Sequence, residues 1–438
     1  MVNPTRLASL LLACCATAIP AAAQAPVAKV VAAPAAGEKG GPGLALRTKK
    51  ALTVPLEGRQ FLDDALILVK DGIIVGVGPA RTTPVPAGFE MQDLGRHWAM
   101  PGMIDLHSHI GGTFDINEMV YLVNPGLRVS TSVVPANPAL EKALAAGVTT
   151  VLFIPGSGVN VGGQGVLIKT GLDKYEDALV RDPGSMKLAQ AGNPEGWVMG
   201  VGRSFMNWNT RDMFERGMLH AQQWRDHEEG RGPKPVENFD LQIFRDLLGK
   251  KTQISTHTQI YQVVLSTLTM VRKGFGIDVY IDHGEMAGYK LAAFAEQLGV
   301  QAILGPRVVE VPTRQFIQWT VSNPEALLGI AAEYQKAGHK RIGFNTDAPV
   351  IPGEELSLQA TMGVRYGFDD SNADSVRGLT IIPAVTAGID KKVGSLEVGK
   401  EADIVVVTGD PIDQRNTVEL VFIGGRRVYD TKRDIRRY

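Results

Sequence analysis

Apolar runs of strand length, Ala65-Leu66-Ile67-Leu68-Val69 and Ile73-Ile74-Val75-Gly76-Val77, stand on either side of Lys70-Asp71-Gly72. Two such runs around an Asp-Gly pair predict a β-hairpin. The far end of the chain repeats the pattern, with Ala402–Val407 and Leu420–Ile423 leading to Gly424-Gly425 and then Arg426-Arg427-Val428-Tyr429. Between these ends, from Pro101 to Pro383, short apolar runs alternate with stretches of helical spacing. The expected strands are Met103–Leu106, Thr149–Ile154, Gly165–Ile168, Trp197–Val201, Gln253–Thr256, Asp278–Ile281, Gln301–Leu304 and Arg341–Phe344. The expected helices include Pro138–Ala146, Arg211–His227, Ile260–Lys273, Tyr289–Leu298 and Glu325–Ala337. The number of strand candidates and the length of the segment fit an α/β fold of the (β/α)8 barrel type, with a doubly wound open sheet as the rival.

The N-terminus reads as a targeting segment. Arg6 precedes an apolar run from Leu7 to Ile19, followed by Pro20 and the small residues Ala21-Ala22-Ala23. That order describes a secretory signal peptide over 1–23, and the run is too short to span a bilayer. The protein is therefore expected to be exported, to the periplasm or the extracellular space. Lipid anchoring through Cys14 or Cys15 is the weaker alternative, because Leu12-Ala13 fits it only loosely. These are the chain's 2 cysteines, so cleavage leaves no disulfide and no thiolate ligand. Residues 24–43, rich in Ala, Pro and Gly, read as a flexible linker. The expected organisation is then 44–100 as the first part of a small β-domain, 101–384 as the barrel and 385–438 as the second part of the β-domain. Lys and Arg number 45 against 46 Asp and Glu, a formal net charge of −1. That balance gives no electrostatic basis for a nucleic-acid partner. No stretch beyond the N-terminal run is apolar and long enough for a transmembrane segment.

The reactive residues fall at strand ends. His107 and His109 follow Met103-Ile104-Asp105-Leu106; His257 follows Ile254-Ser255-Thr256; His283 follows Tyr280-Ile281-Asp282; Asp347 follows Ile342–Thr346. In a barrel the C-terminal strand ends form the active-site face. Imidazole and carboxylate suit zinc and similar divalent ions, and the side-chain period of 2 puts both rings of His-x-His on one side. A single histidine at a strand end is usually an ordinary hydrogen-bonded group, but five such residues at strand C-termini are hard to reach by chance. His97, His220, His227 and His339 lack this placement and read as ordinary polar residues.

Pro101-Gly102-Met103-Ile104-Asp105-Leu106-His107-Ser108-His109 resembles the first-strand signature of the metal-dependent amidohydrolase superfamily. Gly394-Ser395-Leu396-Glu397-Val398-Gly399-Lys400-Glu401-Ala402-Asp403-Ile404-Val405 resembles the segment by which such chains leave the barrel and complete a small β-domain. Within the superfamily the chain is most similar to the imidazolonepropionase-like branch. The resemblance implies a deformed (β/α)8 TIM barrel with a small β-sandwich-like domain built from both chain ends. It also implies that His107, His109 and Asp347 hold one ion and that His257 and His283 hold a second or assist the first. Asp347 would be the general base. Many two-metal members bridge their ions with a carboxylated lysine or a glutamate at the end of the fourth strand. Here the expected fourth strand, Trp197–Arg203, offers neither, and Lys169 is the nearest candidate bridge, which leaves the count at one or two ions.

The glycine-rich run Gly156–Gly165 lacks the third glycine of a dinucleotide motif and no helix follows it, so it reads as a tight active-site loop. Its Asn160 and Gln164 are candidate substrate contacts, together with Arg203. Arg203, Arg307 and Glu310 also lie near expected strand ends and read as salt-bridge partners rather than catalytic groups. The expected function is a secreted metal-dependent hydrolase of C–N bonds, probing a small-molecule or short-peptide substrate such as a cyclic amide, a dipeptide or an N-acyl amino acid, in a chain that could form a homo-oligomer. The alternatives are a hydrolytic deaminase on the same site and a non-catalytic binding protein that keeps the fold.

Overall fold

The structure is a computed structural model that describes residues 41–112, 116–196, 201–311 and 326–438. The expected signal peptide, most of the expected linker and Trp197–Gly200 of the expected fourth strand lie outside the described residues.

The first five strands are β1 (Gly43–Leu52), β2 (Phe61–Lys70), β3 (Ile73–Pro79), β4 (Phe89–Asp93) and β5 (Trp98–Pro101). The next five are β6 (Met103–Ser108), β7 (Val148–Phe153), β8 (Val161–Lys169), β9 (Leu179–Ala189) and β10 (Ile254–His257). Then come β11 (Ile281–His283), β12 (Ala302–Leu304), the short pair β13 (Val309–Glu310) and β14 (Leu328–Gly329), and β15 (Ile342–Phe344). The chain closes with β16 (Ile404–Val407), β17 (Val418–Ile423) and β18 (Arg426–Asp430).

Strands from both chain ends share one sheet, in the order β18-β17-β16-β5-β1-β2-β3 with β4 beside β1. Its two hairpins follow the sequence signals. Asp71-Gly72 (φ 49° and 82°) joins β2 to β3, and Gly424-Gly425 (φ 53° and 73°) joins β17 to β18. Consecutive positive φ values give the turn twist that matches a right-handed strand pair, which is why Asp-Gly and Gly-Gly occur there. Leu46, Ile67, Ala99, Ile404 and Phe422, drawn from both ends of the chain, pack into one apolar cluster of this sheet.

The middle of the chain has a TIM-barrel-like α/β arrangement. One sheet runs β10-β9-β8-β7-β6 and another β11-β12-β15. Parallel bridges join their edges, Ile254 to Val279 and Thr258 to His283 on one side and Ser108 to Ala348 on the other. The eight strands therefore follow one another round a ring. All run in one direction except β8, which pairs antiparallel with both β7 and β9. Every residue of β6 and β7 is buried, the polar Asp105, His107, Ser108, Thr149 and Thr150 included.

Expected and observed helices agree closely over Pro138–Ala145. Arg203–Glu228 begins well before the expected start at Arg211. The stretch expected to be helical from Glu325 is helical over Ile330–Lys336, with 312–325 outside the described residues. The largest difference is β9. It contains Asp182-Pro183-Gly184, which reads as a turn, yet the segment is an extended strand. Register irregularities between β8 and β9 accommodate the proline there, where a missing N–H costs no regular ladder bond.

Candidate active site

β6 ends in the pair that the side-chain period of 2 predicts. Asp105, His107 and His109 project to one side, while Ile104 and Leu106 pack into an apolar cluster with Leu152, Tyr280 and Ile303. His107 Nε2 and His109 Nε2 lie 3.2 Å apart, and one oxygen of Asp347 lies 3.0 Å from the first and 3.3 Å from the second. The His107 and His283 rings are 4.5 Å apart at their centroids. His283 Nε2 in turn lies 3.1 Å from His257 Nδ1. The structure thus brings all five residues expected to ligate metal into one contiguous cluster, fed by β6, β10, β11 and the loop after β15.

The backbone works to deliver them. His283 (φ 87°) and Asp347 (φ 51°) both adopt left-handed backbone, a conformation that costs a non-glycine residue on the order of 1 kcal/mol or more. At His283 the turn ends the strand alternation, so that Asp282 and His283, adjacent in sequence, both approach His107.

Tautomers follow from the outer partners. His107 Nδ1 is 2.7 Å from Asp282, and His109 Nδ1 is 2.9 Å from the carbonyl of Ile154. Both partners only accept, so each Nδ1 carries the proton and each Nε2 presents a lone pair. His283 is fixed the same way by the carbonyl of Gly305, at 2.7 Å. With both rings neutral, three acceptor atoms, two imidazole Nε2 and one carboxylate oxygen, would crowd within hydrogen-bond distance with no proton between them. A shared cation resolves that arrangement, and His107, His109 and Asp347 meet the geometric requirement for holding one, as do His107, Asp282 and His283. His257 Nε2 is buried without a partner, a further donor atom awaiting one.

Without a metal ion, a proton on His107 takes the cation's place. Burial disfavours a charged His107, yet the Asp282 and Asp347 carboxylates outweigh burial and push its pKa up to about 9. Burial opposes ionisation of Asp347, but contact with His107 and His109 holds it far below the usual carboxylate range. Burial lowers His283 well below its ordinary value and His257 to about 3, keeping both neutral.

Two residues that the sequence reading missed complete the cluster. Asp282 orients His107 and is itself held by Asn345 Nδ2 at 3.1 Å. Lys187, fully buried near the C-terminal end of β9, places its Nζ 3.5 Å from His107 Nε2. No carboxylate lies within ion-pair distance of this amine among the described residues, and burial lowers its pKa. The available signal was the alternation Ser185-Met186-Lys187-Leu188-Ala189, with one lysine on the face that also carries Ser185. The turn-like Asp-Pro-Gly before it masked the strand.

Lys169, the candidate bridge, is not in the cluster. β8 runs antiparallel to its neighbours, so its C-terminal residue emerges at the opposite end of the ring. There the Lys169 amine pairs with Asp403 and, at 3.1 Å, with Glu401. The three candidate substrate contacts have partners within the chain. Asn160 Nδ2 donates to the carbonyl of Ala189 at 2.8 Å, Gln164 Nε2 to that of Pro125 at 2.9 Å, and Arg203 Nε to Glu195 at 2.7 Å. The glycine-rich loop does reach the cluster, through Ser157, whose hydroxyl lies 3.1 Å from His257 Nδ1.

Comparison with known proteins now adds to this geometry. The amidohydrolase family model matches residues 330–428, the segment that carries Asp347 and the strands after it. Imidazolonepropionase of Sphingopyxis alaskensis is 23% identical over 81% of this chain and 89% of its own length. The chain is similar to the amidohydrolase family in this C-terminal segment and to amidohydrolase relatives over most of its length. Amidohydrolase tasK of Hapsidospora irregularis is 25% identical over 83% of this chain, which spans 40% of that larger protein. The crystal structure of an amidohydrolase from Thermotoga maritima superposes with a TM-score of 0.76 at 27% identity, covering 88% of this chain and all of that one. No helix among the described residues is long and apolar enough to cross a membrane.

Proposed function

We propose that this chain is a member of the amidohydrolase superfamily, an exported, zinc-dependent hydrolase that cleaves a C–N bond in a small cyclic amide, a dipeptide or an N-acyl amino acid. The observation that carries the reading is the meeting of His107 Nε2, His109 Nε2 and Asp347 within 3.3 Å of one another, with His257, His283 and Lys187 against it. His107, His109 and Asp347 would hold one ion and His257 and His283 a second. When bound, such ions acidify a water toward neutral pH and polarise the scissile carbonyl.

The chain's own residues supply the rest. Asp347, kept ionised, accepts the proton of the attacking water and returns it to the departing nitrogen. Asp282 holds the His107 ring in its tautomer. Lys187 has the properties a bridge needs. Its buried amine, once deprotonated, can add to CO2 with release of one proton, and the carbamate so formed would bring a second negative charge beside Asp347 to offset two dications. We also read the ring of strands as a deformed (β/α)8 barrel and the shared sheet as a small β-domain of 44–100 and 385–438.

Metal analysis of the purified chain, coupled to a screen of lactams, dipeptides and N-acyl amino acids with zinc added, tests the proposal. The relatives named imidazolonepropionase put ring C–N bonds first in that screen. About two equivalents of metal with hydrolysis of one class supports it. Absence of tightly bound metal together with no turnover overturns it in favour of a binding protein, and release of ammonia from an amino-substituted ring instead points to a deaminase. Export is tested separately by cell fractionation and N-terminal sequencing of the mature chain.

A further inference from the structure

At the end of the ring opposite the histidines the structure holds a cavity of about 310 Å³. Its lining comes from where strands begin: Arg181 near the start of β9, Gln253 just before β10, Asp278 before β11 and Arg341 just before β15. The histidine cluster occupies the other ends of these strands.

The charge there is one-sided. Arg181, Lys250, Lys251, Arg272 and Arg341 line the cavity, and Asp278 is the single lining carboxylate. Asp278 is already held by Arg272. Lys251 has only a long contact with Asp246, at 3.7 Å. Lys250 and Arg341 have no ion-pair partner among the described residues. Arg181 spends its terminal nitrogens on neutral acceptors, the carbonyls of Ala387 and Gly184 and the Gln253 side chain, at 2.6, 2.7 and 2.8 Å. Burial without a counter-charge lowers its pKa to about 10.

The unpaired polar atoms provide a second, independent observation. Arg181 Nε, Gln253 Nε2 and Thr252 Oγ1 are all buried without a hydrogen-bond partner. Thr252 is 3% exposed and Gln253 5% exposed. The Gln253 oxygen accepts from Arg181, which leaves its amide nitrogen as a pure donor, and Arg181 Nε can only donate. Buried donors left unmet are costly and rare, and these three atoms all belong to residues that line one basic cavity.

We propose that this cavity is a binding site for the phosphate group of a small phosphorylated molecule, separate from the hydrolytic centre. A phosphate carries up to two charges and several acceptor oxygens directed in three dimensions. That matches cations and donors converging from four separate segments. A carboxylate offers one charge and two coplanar oxygens. The volume leaves room for more than an isolated ion.

Isothermal titration of the full chain with inorganic phosphate and with glycerol phosphate, using acetate as the carboxylate control, tests the site. One phosphate per chain is expected, with affinity that falls as salt is added. The double variant Lys250→Ala/Arg341→Ala should bind phosphate about tenfold more weakly or worse, with metal content and thermal midpoint unchanged, since neither side chain is tied into the fold. Arg181→Lys, which keeps the charge and removes the fork, should weaken binding less than the double variant. Unchanged affinity in the double variant would place the phosphate elsewhere, at the metal centre for instance, and overturn the proposal. So would acetate binding as tightly as phosphate, or no heat from either phosphate probe.

Discussion

Two buried lysines mark opposite ends of the same ring and do opposite things. Lys169 ends β8, where Asp403 and Glu401 meet its amine. Burial would lower its pKa, but those two carboxylates win and raise it. Lys187 lies near the end of β9 among histidines, has no carboxylate in ion-pair contact among the described residues, and has a pKa that burial lowers. The first is a permanently charged clamp between the ring and the shared sheet, since Asp403 also accepts from the backbone N–H of Gly424. The second is held closer to neutrality, which is what a reactive amine needs. Burial alone does not separate a structural lysine from a chemical one; its partners do.

The sharpest way to break this comparison is to exchange the roles by mutation. Lys187→Ala should cost about one metal equivalent and on the order of a hundredfold or more in kcat/KM, with little loss of thermal stability because an uncompensated buried amine is removed. Full metal content with only a raised KM would make Lys187 a substrate contact instead. Lys169→Ala should do the reverse. It strands Asp403 in a buried site and should destabilise the chain by about 3–5 kcal/mol in denaturant unfolding, while metal per folded chain stays constant. Metal lost without destabilisation would return Lys169 to candidacy as the bridge.

Smaller effects sharpen the picture of the histidine end. Asp282→Asn keeps the shape but removes the charge that fixes His107. A drop in metal affinity of about 10–100-fold is expected, read by competition with a chelator; an unchanged affinity would show that Asp282 merely fills space. The pH dependence comes last. In the metal-free chain His107 titrates at about 9 and is protonated at pH 7, whereas His257 and His283 are already neutral. Metal binding must therefore expel one proton, and apparent affinity should rise about tenfold per pH unit up to roughly pH 9 before levelling. Affinity independent of pH between neutrality and pH 8.5 would mean that His107 is not a ligand.

What the sequence determined by itself were the features that local chemistry fixes. Asp71-Gly72 and Gly424-Gly425 set their hairpins, and His-x-His on a strand set two rings side by side. Strand-end placement gathered His107, His109, His257, His283 and Asp347, because a side-chain period of 2 and the position of a residue along an apolar run are both local properties. The direction of β8 was decided only in three dimensions. Its apolar run looks the same read as a parallel or an antiparallel strand, and that one reversal carried Lys169 away from the site. β9 was hidden by Asp182-Pro183-Gly184, whose turn chemistry yields to strand pairing on both sides, and Lys187 was hidden with it. The pairing of Asp282 with His107, 175 residues apart, and the meeting of Arg181, Gln253 and Arg341 at the far mouth depend on how the ring closes. Hydrophobic spacing says which face of a strand is buried, but not which strand will lie opposite it.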